Sequence, residues 1–149
     1  MMMTEEGISL IKKYEGCKLT AYKCPAGVWT IGYGNTFYED GSTVKPGDKI
    51  TQKRADQLLR NILEKKFLEP IRKLIVSDIN DNMFSAIVSF TYNVGIGNLK
   101  SSTLLKKVNA NPNDQSISLE FKKWVKSAGK VLPGLVRRRE SESDLYFKK

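Results

Sequence analysis

The chain has 149 residues, 40% hydrophobic and 28% charged, with 25 Lys and Arg against 16 Asp and Glu, for a net charge of +9. That length fits one domain able to fold without disulfides or metal, and the charge favours polyanionic partners such as nucleic acid, anionic membranes or phosphate-rich cell walls. The absence of His removes Ser-His-Asp and Cys-His chemistry and His-rich zinc sites, and the two cysteines, Cys17 and Cys24, cannot supply a four-ligand zinc site.

The first element expected is a helix over residues 4–15. Thr4 can cap it, Glu5 and Glu6 suit its first turn, Ile8, Ile11 and Tyr14 share a face, and Gly16 can terminate it. The segment MMMTEEGISLIKKYEG has no basic stretch ahead of an apolar core, so it does not read as a signal peptide or anchor. Residues 18–38 read as a small β-sheet, turning at CPAG and interrupted by Gly32 and Gly34. Residues 39–49 read as a surface loop.

Thr51 then caps a long helical pattern through Leu58, Leu59, Ile62, Leu63, Phe67 and Leu68, which Pro70 should kink or end. Shorter helices follow over 80–93, 101–108, 115–127 and 134–147. Ile87, Phe90, Leu104, Leu105, Phe121, Trp124 and Leu145 supply much of their core. One α+β domain, 1–149, results: an N-terminal helix and β-lobe over about 1–50, a connecting helix over about 51–77 and an all-helical lobe over about 78–149.

Three residues suggest chemistry. Eight residues separate Glu15 from Cys24, and five separate Cys24 from Thr30. A carboxyl at a helix end facing two small polar side chains on the next hairpin is a plausible set for splitting a glycosidic bond, which usually takes an acid and a second group acting as base or nucleophile. A helix C-terminus disfavours a carboxylate, which suits Glu15 to the acid role. Cys24 as thiolate can be base or nucleophile, and Thr30 can hold a water. Each has a plainer reading: a solvated helix-end Glu, a turn Cys beside Pro25, and a good strand residue.

Two further clusters follow. FTYNVGIGNLKSSTLL, residues 90–105, places Tyr92, Asn93, Ser101, Ser102 and Thr103 around two glycines. Such groups bind sugars; the plainer reading is a helix C-cap at Gly95 followed by an N-cap at Ser101 or Ser102, and both can hold at once. In GLVRRRESESDLY, residues 134–146, one arginine, Arg138, could pin a carboxylate in a cleft. Its plainer reading is a solvated helix with an Arg138–Glu142 pair worth a few tenths of a kcal/mol.

Together these residues closely resemble the phage-type lysozymes, or endolysins, of glycoside hydrolase family 24, which include the T-even phage lysozyme. The carrying motifs are Glu15, Cys24 and Thr30 at the family spacing, AYKCPAGVWTIGYGNT, SFTYNVGIGNLKSSTLLKKVNA and KVLPGLVRRRESE, and the resemblance runs over nearly the whole chain, from about residue 5 to 147. The resemblance implies a two-lobed lysozyme-like fold with the site in the interlobe cleft. It also implies a cofactor-free, metal-free muramidase that cleaves the β-1,4 bond between N-acetylmuramic acid and N-acetylglucosamine in bacterial peptidoglycan for host lysis. Glu15 is then the general acid, Cys24 takes a position usually held by Asp, and Thr30 helps orient the attacking water. Tyr33, Asn35, Tyr92, Asn93, Ser102, Thr103 and Arg138 become the substrate-binding candidates. Asn35 stands where relatives often carry His.

The expected setting follows from the same resemblance. The protein is a monomer held in the host bacterial cytoplasm until a holin releases it to the wall, with no nucleic-acid partner and no stable membrane insertion. Inverting and retaining outcomes both stay open with Cys24, as does an oxidation switch pairing Cys17 with Cys24. The alternative is a catalytically weak cationic protein on the same fold that binds cell walls or disturbs membranes.

Overall fold

The computed structural model describes all 149 residues. They group into two compact units, one of residues Glu15–Lys66 and one of Met1–Tyr14 with Phe67–Lys149. The helix at the N-terminus thus has its last residue, Glu15, counted with the β-containing unit.

In the unit Glu15–Lys66, strands β1 (Lys18–Lys23) and β2 (Trp29–Gly32) pair antiparallel, with Tyr22 opposite Thr30 and Lys23 opposite Trp29. The turn between them is local chemistry. Pro25 presets the first central position, Gly27 supplies a φ of 81°, and the Gly27 amide donates to the Cys24 carbonyl at 2.8 Å. Past β2 the chain reverses again over Gly32 and Gly34, at φ of 66° and 90°, so that Ile31 and Asn35 exchange both backbone hydrogen bonds at 2.9 Å. The following loop returns to the far edge of β1, where Ala21 donates to Asp48 and Ile50 to Leu19, each at 2.8 Å. Helix α2 (Gln52–Ile62) is capped by Thr51, whose hydroxyl accepts from the Arg54 amide. Leu58 meets Ile31 and Val44 in the unit's core, with Ala21, Trp29, Tyr38 and Ile50 packed around them.

Of the two outcomes expected at Pro70, a disturbed helix or an ended one, the long helical run shows the first. It does not stop at Pro70. After α2 it widens into one π-helical stretch, Leu63–Leu68, and continues as α3 (Glu69–Leu74) with Pro70 in its first turn. Proline lacks the amide a helix needs, and its ring would strike the carbonyl four residues back. Widening the turn ahead of it lets the chain stay helical.

The other unit holds α1 (Glu5–Glu15), α3, α4 (Asp81–Val94), α5 (Ile96–Ser101), α6 (Thr103–Ala110), α7 (Ile117–Lys122) and α8 (Pro133–Tyr146). Thr4 caps α1 as expected, its hydroxyl accepting from the Gly7 amide at 3.0 Å. Helix α4 is buried from Met83 through Thr91, so it forms the centre of the unit. Phe90 meets Phe121 and Trp124 edge-on with centroids 5.7 and 5.5 Å apart, and Phe121 in turn meets Tyr146. Gly7 permits the close approach of α1 to α4, because a Cβ there would lie 2.6 Å from the Ser85 Cβ.

This unit is not wholly helical. The helix expected over 115–127 ends at Lys122, and a two-residue ladder follows, β3 (Lys126–Ser127) against β4 (Lys130–Val131). Ala128 and Gly129 turn it with φ of 51° and 80°. Two successive positive φ angles make the tight turn that suits a hairpin. The helix α5 also fills a stretch that the spacing leaves as loop.

Candidate active site

Glu15 is the last residue of α1 and is half-buried. Gly16 follows at a φ of 71°, a left-handed conformation that ends the helix and sends the chain into β1. Cys24 lies at the other end of β1, where the hairpin turns, and Thr30 lies on β2.

Cys24 and Thr30 are joined through one atom. The Val28 carbonyl accepts from the Cys24 amide at 3.0 Å and from the Thr30 hydroxyl at 3.0 Å. A carbonyl oxygen has two lone pairs, so both bonds can be made at once. This has a chemical consequence for Thr30. Its one proton has two acceptors within reach, the Val28 carbonyl and the Cys24 sulfur, and its oxygen keeps lone pairs that can accept from a water. Thr30 itself is buried, with 4% of its surface exposed.

The Cys24 thiol is held below its usual value of 9.0. The main cause is a hydrogen bond from the Val28 backbone, with smaller help from the Ala26 backbone and the Thr30 side chain, and partial burial opposes them. Hydrogen bonds to the charged form favour it, so the turn geometry eases loss of the thiol proton.

The other candidates divide by burial. Tyr33 is buried, donating its hydroxyl to Asp56 at 3.1 Å while accepting from Gln52 at 2.8 Å. Burial and the Asp56 carboxylate push its hydroxyl up to about 12. Asn35 is 1% exposed, its Nδ2 lies 3.5 Å from the Leu58 carbonyl, and its Oδ1 has no hydrogen-bond partner. Ser102 is the buried N-cap of α6, accepting from the Leu105 amide at 3.0 Å and donating to the Leu99 carbonyl at 2.7 Å. The capping reading of that segment therefore holds at Ser102. Tyr92 is half-buried with its ring 5.2 Å from that of Phe67, whereas Asn93 and Thr103 are exposed.

Arg138 is placed differently from the cleft role assigned to it. It is 3% exposed, and its guanidinium donates to Glu142 at 3.2 Å and to the Ser89 carbonyl at 3.0 Å. The Arg138–Glu142 pair read from the i,i+4 spacing is real, but it is interior rather than solvated. Arg139 joins it, donating to the other Glu142 oxygen at 2.6 Å, and Ser89 donates to Glu142 at 2.6 Å. Burial pushes the Glu142 carboxyl up while Arg139 and Arg138 pull it down. Consecutive arginines three and four residues ahead of a Glu were the visible signal; burial was not.

The two thiols are free, and β1 lies between them. A six-residue strand spans roughly 20 Å, whereas disulfide-linked Cα atoms sit about 4.4–6.8 Å apart. A Cys17–Cys24 disulfide and the observed sheet are therefore mutually exclusive. No group of three or more Cys, Asp or Glu side chains gathers at metal-binding spacing.

Glu15 at the end of α1, Cys24 at the hairpin turn and Thr30 on β2 thus fall in one unit of the structure. Residues 12–142 match the family described as phage lysozyme, and the chain belongs to that family. It is 45% identical over 149 residues to an endolysin of Bacillus phage B103, covering 99% of this chain and 54% of that one. It is 39% identical to an endolysin of Acyrthosiphon pisum secondary endosymbiont phage 1, covering 98% of each. Among solved structures, an endolysin from Escherichia coli O157:H7 phage FAHEc1 matches with a TM-score of 0.89 at 38% identity, over 99% of this chain and 94% of that one. The chain spans about half the length of the two Bacillus phage endolysins it matches.

Proposed function

We propose that this chain is a muramidase that hydrolyses the β-1,4 bond between N-acetylmuramic acid and N-acetylglucosamine in bacterial peptidoglycan, acting as an endolysin in host lysis. The observation that carries the reading is one hairpin, following the helix that ends at Glu15, in which the Val28 carbonyl ties Cys24 to Thr30, in a chain of the phage lysozyme family.

Each residue then has a defined task. Glu15 donates its proton to the glycosidic oxygen as the C1–O bond breaks. Thr30 accepts a hydrogen bond from a water and so fixes which lone pair faces C1. The Cys24 thiolate takes that water's proton as the new C1–O bond forms. This sequence inverts the anomeric centre; attack by the Cys24 sulfur itself would retain it. Asn93, Thr103 and the half-buried Tyr92 are the substrate-binding residues. Tyr33, Asn35, Ser102 and Arg138 support the scaffold that holds them.

The setting is proposed on the same footing. No helix is long and apolar enough to cross a membrane. A monomer that stays in the host cytoplasm until a holin opens the membrane fits that chain, and a net charge of +9 suits a wall rich in phosphates and carboxylates.

The test is digestion of purified peptidoglycan by the protein and by Glu15→Gln, with products read by mass spectrometry. Muropeptides ending in reducing muramic acid, from the parent alone, are expected. Anhydro-muramic products would mean transglycosylation, and parental turnover by Glu15→Gln would remove Glu15 from the mechanism.

A further inference from the structure

Arg139 is fully buried, yet it reaches one exposed side chain. Its guanidinium makes three hydrogen bonds to three separate segments. Nε donates to the Trp124 carbonyl at 2.9 Å, Nη1 to Glu142 at 2.6 Å, and Nη2 to Asn93 Oδ1. The guanidinium also lies 5.1 Å from the centre of the Phe90 ring, one turn before Asn93 on α4.

A guanidinium is donor-only, so the Asn93 atom that meets it must be the amide oxygen. The charge therefore fixes the orientation of that amide. Nδ2, with two protons, is left on its other edge, and Asn93 is exposed at the end of α4. Glu142 and the Phe90 ring hold the guanidinium itself in place, so the amide is set before anything binds. An amide held in advance loses no rotamer freedom on binding.

We propose that Arg139 is a positioning residue for glycan binding: it locks Asn93 so that Nδ2 donates to the acetamido carbonyl, an acceptor-only group, of an N-acetylated sugar. The inference rests on the muramidase reading and deepens it. Arg139 makes no contact with the sugar and acts through Asn93 alone. A donor-only edge selects for acceptors, so an acceptor placed at the Asn93 position should repel the same ligand group.

The probe is tri-N-acetylchitotriose, with Kd measured by calorimetry alongside KM on peptidoglycan. Asn93→Asp keeps the oxygen that meets Arg139 and exchanges the donor for a second acceptor. It should weaken Kd by roughly three- to tenfold, the scale of one lost hydrogen bond, with KM rising in step. Arg139→Lys keeps the charge but cannot serve three acceptors in a fixed fork; it should weaken Kd similarly.

The deciding measurement is the cycle with Asn93→Ala. In that background Arg139→Lys should leave Kd unchanged while still lowering Tm as it does alone. Equal weakening in both backgrounds would overturn the proposal, because Arg139 would then act through general structure. Parental Kd in Asn93→Asp would overturn it also, and decides the matter by itself if Arg139→Lys fails to fold. A parent that binds the trisaccharide but releases no product from peptidoglycan would overturn the muramidase reading, leaving the positioning role to be judged on Kd.

Discussion

Arg138→Met separates a structural arginine from a substrate-binding one. The side chain is 3% exposed and its partner Glu142 is 0% exposed. Substitution removes the bond to Glu142 at 3.2 Å and leaves the Ser89 carbonyl without the donor now 3.0 Å away. Breaking a buried ion pair on one side costs about 3–5 kcal/mol, because the remaining charge is stranded away from water. That is a large share of the roughly 5–15 kcal/mol by which a domain is stable. Arg139 still faces Glu142, which places the expectation toward the lower end. With about 2–4 °C lost per kcal/mol for a chain of this size, a loss near 3 kcal/mol should lower Tm by roughly 6–12 °C. The control is the neighbouring exposed Arg137, whose replacement by Met should change stability by no more than about 0.5 kcal/mol. Urea unfolding at matched pH, followed by fluorescence and circular dichroism, measures both. Equal midpoints for the two variants would refute the buried network. A raised KM in the Arg138 variant with an unchanged midpoint would return Arg138 to the substrate.

Two other outcomes follow from local geometry. Cys24→Asp should remain active and move the rising limb of the pH–rate profile from the thiol range, somewhat below 9.0, down to the carboxylate range near about 4. The sign follows from the base being the deprotonated form, present above its pKa; profiles that coincide would remove Cys24 ionisation from the reaction. Gly7→Ala should destabilise by about 1–3 kcal/mol, since its Cβ would sit 2.6 Å from that of Ser85 and α1 would have to shift from α4. A calorimetric Tm equal to the parent's would show that the approach of the two helices is looser than described.

The sequence by itself determined the features that depend on near neighbours. The Thr4 and Thr51 caps, the CPAG turn, the helical periodicity of α1 and α2 and the Arg138–Glu142 pair all act within a few residues, so spacing and propensity suffice to read them. The Glu15, Cys24 and Thr30 pattern was legible for the same reason, since one helix end and one hairpin carry all three. Tertiary structure decided whatever depends on what packs against a residue. Spacing pairs Arg138 with Glu142 identically in water or in a core; the walls supplied by α4, with Ser89 and Phe90, make the pair interior and recruit Arg139. Likewise the spacing allowed a cap at Ser101 or at Ser102, and packing decided for Ser102. The hairpin after α7 was hidden because Ala128 takes a left-handed conformation that its side chain disfavours, so its sequence still reads as helix. The π-helical stretch before Pro70 was hidden because proline announces a disturbance without saying whether the helix will break or widen to absorb it.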